Sequence, residues 1–175
     1  MEMKAKIIRR KPYVRKLTEK SYANGDNEQM LVRFTGNRRQ SWIGLFEKEE
    51  KQGLCKVLTC ANTNLSLVIA GGRGYLVNIE NKEMRRVPND GKKIVSAVNS
   101  GRPGYCIAGT ETTLCVIDQE GKIHEIVPDF SVEGFYLDEK EVDKARGNLV
   151  SEINLYEKEI PFSIDLETYT LHVDY

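Results

Sequence analysis

The stretch Leu65–Val87, LSLVIAGGRGYLVNIENKEMRRV, decides the fold. Aliphatic runs of four to six residues are cut by a glycine turn, Gly71-Gly72, and by a polar turn, Asn78 to Lys82. Runs this short, rich in Val, Ile, Leu and Tyr and bounded by Gly and Asn, are strand and hairpin signals rather than helical ones. The pattern is then used again. Lys56 to Pro88 and Lys93 to Pro128 read as one unit twice, with Ile69-Ala70-Gly71 and Ile107-Ala108-Gly109 spaced by 38 residues and Leu76–Ile79 and Leu114–Ile117 spaced by the same 38. Each unit closes on Val-Pro.

Within a unit the expected order is a strand (KVLTCAN or KIVSAVN), a polar turn, a second strand ending at glycine, a third strand, a tight turn and a fourth strand, all antiparallel. Gly121 in one turn and Asn81 in the other are expected to take positive φ. The third strand and its acidic end recur more widely, at Phe46-Glu47, Ile79-Glu80, Ile117-Asp118 and Ile164-Asp165, with gaps of 33, 38 and 47 residues. SWIGLFEKEE, GYLVNIENKE, TLCVIDQEGK and PFSIDLETYT are therefore four related segments, the outer two degenerate as terminal repeats tend to be.

Self-similarity near 40 residues with four strands per unit resembles the blades of β-propeller repeat proteins, and CIAGTETTLCVIDQEGKIHEI is similar to the inner three strands of a blade. The resemblance covers about Lys56 to Pro128; the Gly-His and Trp-Asp pairs of WD repeats are absent. It implies an all-β chain of antiparallel sheets built from blade-like repeats, an open or partial propeller. The expected organisation is one β-rich domain over residues 1–175: a basic leader and first strands in 1–40, two clear repeats in 56–128, and an acidic, degenerate last unit in 129–175. Only Asp138 to Arg146, DEKEVDKAR, reads as a short helix or an acidic loop.

Composition bounds the function. The 175 residues carry 26 Lys and Arg against 26 Asp and Glu, with 40% hydrophobic and 30% charged residues, a globular balance with no apolar run approaching the ~18 residues of a membrane span. The N-terminus has no apolar stretch behind its basic residues, so a cytoplasmic setting is expected. Cys55, Cys60, Cys106 and Cys115 form no CxxC pair and are expected as structural thiols, without metal or cofactor.

The zero net charge hides a gradient. Residues 1–40 hold eleven basic and four acidic side chains (11 − 4 = +7), whereas residues 129–175 hold four and twelve (4 − 12 = −8).

Catalytic patterns are missing. His124 and His172 are far apart with no HExxH, and neither GxSxG nor a Walker loop occurs. The turn Gly71–Gly74 has the form of an anion cradle with Arg73 as clamp, although a strand connection needing glycine is the plainer reading. The expectation is a non-enzymatic protein.

Two binding surfaces remain. Arg9, Arg10, Lys11, Tyr13, Arg15 and Lys16, followed by Arg38, Arg39 and Trp42, place aromatic groups among cations, a pattern suited to nucleic acid. The acidic last third suits a basic protein instead. In outline the chain is similar to bacterial immunity proteins that neutralise nuclease toxins, and that resemblance implies a toxin partner held by carboxylates. The expected partner-binding residues are Tyr136, Asp138, Glu139, Glu141 and Asp143, with Trp42 and Arg73 in addition, while Phe135 and Leu137 are expected to alternate into a core. The preferred reading is protein binding; nucleic-acid binding through the basic segment and self-association as a homodimer are the alternatives.

Overall fold

In the computed structural model the described residues are 3–12, 17–23, 28–37, 40–89, 91–138, 145–153 and 156–174, with the side chains of 152–158 excepted. Every element among them is a strand. In chain order these are β1 (Lys4–Ile8), β2 (Thr18–Ser21), β3 (Gln29–Thr35), β4 (Ser41–Glu47), β5 (Lys56–Thr59), β6 (Leu65–Ala70), β7 (Arg73–Asn78), β8 (Met84–Arg86), β9 (Ile94–Asn99), β10 (Cys106–Thr110), β11 (Leu114–Ile117), β12 (Ile123–Ile126), β13 (Gly134–Leu137), β14 (Arg146–Ile153), β15 (Tyr156–Asp165) and β16 (Thr170–Val173). They form four four-stranded sheets. No helix among the described residues is long and apolar enough to cross a membrane.

The chain divides into two compact units, Met1–Arg86 and Val87–Tyr175. The first holds sheet β1-β3-β4-β2 and sheet β5-β6-β7-β8; the second holds β9-β10-β11-β12 and β13-β14-β15-β16. The last three sheets are plain antiparallel meanders with the strand order expected for the repeat. The first sheet departs from it. There β4 is followed by no partner of its own, and the outer place beside it is taken by the earlier strand β2, which runs parallel to β4 with Thr18 opposite Trp42 and Ser21 opposite Leu45. The four segments expected to be related, β4, β7, β11 and β15, all occupy interior positions in their sheets.

Alternation builds the cores, because period-2 side chains send one apolar set inward. In the first unit Met30, Val32, Phe34, Trp42 and Phe46 meet Val68, Tyr75 and Val77 of the second sheet. Phe34 and Trp42 stack at 4.3 Å, and Phe46 lies 5.2 Å from Tyr75. In the second unit Ile107, Leu114 and Val116 meet Phe135, Leu149, Ile160 and Phe162, with Phe135 edge-on to Phe162 at 5.4 Å.

The 38-residue spacing holds in β6 and β10 and not in the strands they pair with. Ala70 pairs with Arg73 across the two residues Gly71 and Gly72, whereas the corresponding Ala108 pairs with Cys115 across six, Gly109 to Leu114. The second hairpin is therefore longer by four residues (6 − 2). In register, Leu114–Ile117 is not the counterpart of Leu76–Ile79.

The turns after β7, β11 and β15 share one device. Asn78 Oδ1 accepts from the N–H of Glu80 and Asn81, Asp118 Oδ1 from Glu120 and Lys122, and Asp165 Oδ1 from Glu167 and Thr168, the side chain standing in for a backbone acceptor. Each turn has one left-handed residue: Lys82 (φ 62°), Gly121 (φ 80°) and Tyr169 (φ 55°). Gly121 is as expected; in the first turn the left-handed residue is Lys82 and not Asn81, whose side chain accepts from the Glu83 N–H and donates to the Glu83 carboxylate.

Cys115 is a buried thiol and Cys55 an exposed one. Cys60 and Cys106 are buried but are not thiols, which corrects the expectation for those two.

A candidate protein-docking face on the last sheet

Strand β13, GFYL, alternates in and out. Phe135 is fully buried and Leu137 is nearly so, as expected, while Tyr136 between them is 49% exposed, one of three large hydrophobic side chains left open among the described residues. Register carries that alternation across the sheet. One outward row runs Tyr136, Asn148, Pro161 and Asp174, and the next runs Asp138, Arg146, Ser163 and His172.

A proline inside an interior strand is uncommon, since it cannot donate to the ladder. Pro161 is accommodated because its carbonyl accepts from the N–H of Asp174 at 3.0 Å, beyond the end of β16. Its missing donor therefore falls at the margin of the sheet.

Tyr136, Asp138, Arg146, Asn148, Pro161 and Asp174 line a groove of about 460 Å³. It carries two carboxylates and one guanidinium. Asp138 is held in place by its own N–H on the carbonyl of Arg146 at 2.9 Å. The arrangement offers a half-exposed phenol in a field of acceptors, the composition of a recognition surface centred on one aromatic group with a charged rim.

Of the residues expected to bind, Tyr136 and Asp138 come together here, and Glu139, Glu141 and Asp143 lie outside the described residues. Trp42 is corrected. It is 3% exposed, stacks on Phe34 and donates its indole N–H to the carbonyl of Ile79 at 2.9 Å, so it is built into the core rather than presented as an open surface group. Arg73 is corrected too. Its guanidinium pairs with Glu49 and, at 3.2 Å, with Glu47. Burial opposes its charge, but contacts with Tyr75 and Glu49 outweigh that and hold its pKa above the ordinary value. Gly71 and Gly72, both at positive φ, are turn residues with the backbone N–H groups of Glu49 and Glu50 donating into the turn at Ala70 and Gly71, not a phosphate cradle. In the basic leader Arg9, Arg10 and Lys11 are exposed, Lys11 pairing with Glu19 at 2.7 Å; Tyr13, Arg15, Lys16, Arg38 and Arg39 lie outside the described residues.

The histidines do different things. His124 Nε2 is 2.9 Å from Asp118 Oδ2 and its ring stacks on Tyr169 at 3.6 Å. Burial raises the Asp118 pKa, but hydrogen bonds from His124 and from the N–H groups of Lys122 and Glu120 outweigh it and leave the carboxyl below its usual range. His172 lies in the outward row with Arg146. Among the described residues no group of three His, Cys, Asp or Glu side chains is placed to hold a metal ion.

Sequence reasoning missed Arg146, Asn148, Pro161 and Asp174. They reach Tyr136 only through strand register, for which no local residue pattern is a signal. No protein-family profile matches the chain, and no curated protein is similar to it in sequence.

Proposed function

We propose that the chain is a non-enzymatic binding module that holds a basic protein on the outward face of its last sheet. The observation that carries this reading is Tyr136, an aromatic side chain left half-open between two buried neighbours and rimmed by Asp138 and Asp174. Exposed aromatics inside a polar rim are where binding energy concentrates, and carboxylates around them select a cationic partner and speed its approach. The charge excess of the last 47 residues, −8, works in the same direction.

In its finer form the partner is a nuclease-type toxin whose phosphate-binding surface is occupied by these carboxylates, and the four-stranded meanders act as blade-like supports in an immunity protein. The test is a pull-down from native extract at low and high salt, after nuclease treatment. One basic protein retained at low salt and released at high salt supports the reading, and Tyr136→Ala is then expected to weaken that complex by about 2 kcal/mol or more, with Asp138→Lys and Asp174→Lys abolishing it. Retention of nucleic acid alone, or of the chain's own copies alone, overturns it.

A further inference from the structure

The ring of Tyr136 does not stand straight off the last sheet. A Cβ added at Gly134 would lie 2.7 Å from its Cε2 and 3.0 Å from both Cζ and the hydroxyl oxygen, so the far end of the phenol folds back along β13 into the space that a side chain at 134 would take. Only glycine leaves that space. An aromatic ring over a strand glycine covers the glycine and steadies the outer strand. The ring is thereby held before any partner arrives, which lowers the ordering cost of binding. Even so, Tyr136 stays 49% exposed.

Register shows what surrounds the ring where it lies. Gly134 pairs with Val150, and Val150 with Glu159, so the far end of the phenol sits in the outward row next to that of Tyr136 and Asn148. Val150 is half-buried and Glu159 exposed. Two strand spacings put the Glu159 backbone about 9–10 Å from that of Gly134, a gap that a glutamate side chain and a group lying on the ring span between them. The root of Arg146 lies four residues from Val150 (150 − 146) on β14, about 13 Å along the strand. That exceeds the ~8 Å over which physiological salt screens exposed charges, so a cation on the ring meets the glutamate rather than the arginine.

An aromatic surface beside a carboxylate does not treat all cations alike. An ammonium is compact and strongly hydrated, whereas a guanidinium is planar, more weakly hydrated, and stacks on an aromatic face while its edge N–H groups donate in parallel to a carboxylate. We infer, building on the docking role proposed for this face, that Tyr136 seated on Gly134 is the plate on which the basic partner lays an arginine, with Glu159 accepting from the edge of its guanidinium. The face thus selects arginine over lysine.

Isothermal titration calorimetry of the full chain at low salt with two blocked octapeptides of equal charge, octa-arginine and octa-lysine, tests it. Octa-arginine is expected to bind about three- to tenfold more tightly, the range that a cation–π contact supplies. Tyr136→Phe keeps that preference, while Tyr136→Leu and Glu159→Gln each bring the two affinities together. Gly134→Ala does so as well: the atoms its methyl would meet are the free end of one side chain, so the ring is displaced rather than the strand, and circular dichroism checks the fold of all four variants. Equal affinities in the parent with both peptides lost in Asp138→Lys, or a preference for arginine undiminished in Tyr136→Leu, would overturn the arginine site alone. Binding of neither peptide would overturn the docking role together with it.

Discussion

Gly71 and Gly109 occupy the same place in the same three letters, Ile-Ala-Gly, and are required for different reasons. Gly71 begins a two-residue turn at φ 60°, and a Cβ there would lie 2.2 Å from the Glu50 carbonyl oxygen. Gly109 lies within β10, where the pairing with β9 shifts register towards Thr110, and a Cβ there would lie 2.4 Å from the carbonyl oxygen of Phe135 and 2.9 Å from Ser96 Oγ. The first glycine serves the path of its own chain. The second serves the approach of another sheet, since β13 settles on β9 and β10 with the Phe135 carbonyl accepting from Ser96 Oγ at 2.6 Å and the Leu137 N–H donating to it at 3.1 Å. A repeat in sequence thus fixes where glycine falls, while the neighbours decide what it is for.

The difference can be broken by substitution. Gly71→Ala is expected to have the largest effect, roughly 2–5 kcal/mol, by adding about 1–2 kcal/mol of left-handed backbone strain to about 1–3 kcal/mol of overpacking. Urea unfolding of the variant measures it, and a loss no greater than that of Gly109→Ala would show that φ is not the cause. Gly109→Ala carries only the packing cost, about 1–3 kcal/mol, and Ser96→Ala, which leaves the Phe135 carbonyl and the Leu137 N–H without their hydroxyl partner, costs a similar amount. The two are coupled through β13, so the double variant should lose less than the sum; strict additivity in the same unfolding experiment would mean that the two residues do not seat the same strand.

The smallest effect separates the turns that follow. Asn78 cannot titrate, but Asp118 can. The folded Asp118 carboxyl lies below its unfolded value, near 3.9, so its contribution is fully present above about pH 4 and is lost as the pH falls through the lower folded value. The urea midpoint of the parent is therefore expected to exceed that of Asp118→Asn at neutral pH, with the gap closing below about pH 4. A gap independent of pH would assign the difference to packing.

Much of the fold was legible in the sequence because alternation and turn residues are local. The strands of both central repeats, the burial of Phe135 and Leu137 and the positive φ of Gly121 follow from such signals. What was illegible depends on partners distant in sequence. Nothing near Thr18 announces a parallel neighbour at Trp42, and Arg73 reads as a clamp until Glu47 and Glu49 are placed beside it. Trp42 looks like a stacking residue among cations because the sequence does not reveal Phe34 across the strand pair. For the docking face, Tyr136 and Asp138 were visible as exposed positions, whereas Asn148, Pro161 and Asp174 needed the register.

The strand order of the first sheet sets a timetable for synthesis. The meander sheets pair each strand with the one just made, but β1 and β2 flank a hairpin, β3–β4, that the ribosome delivers after both of them. β1 waits 27 residues (35 − 8) for the end of its partner β3, and β2 waits 26 (47 − 21) for the end of β4, which at 5–20 residues per second is about 1–5 s. For that interval each outer strand has no partner to pair with, whereas a strand of a meander waits only for the next one.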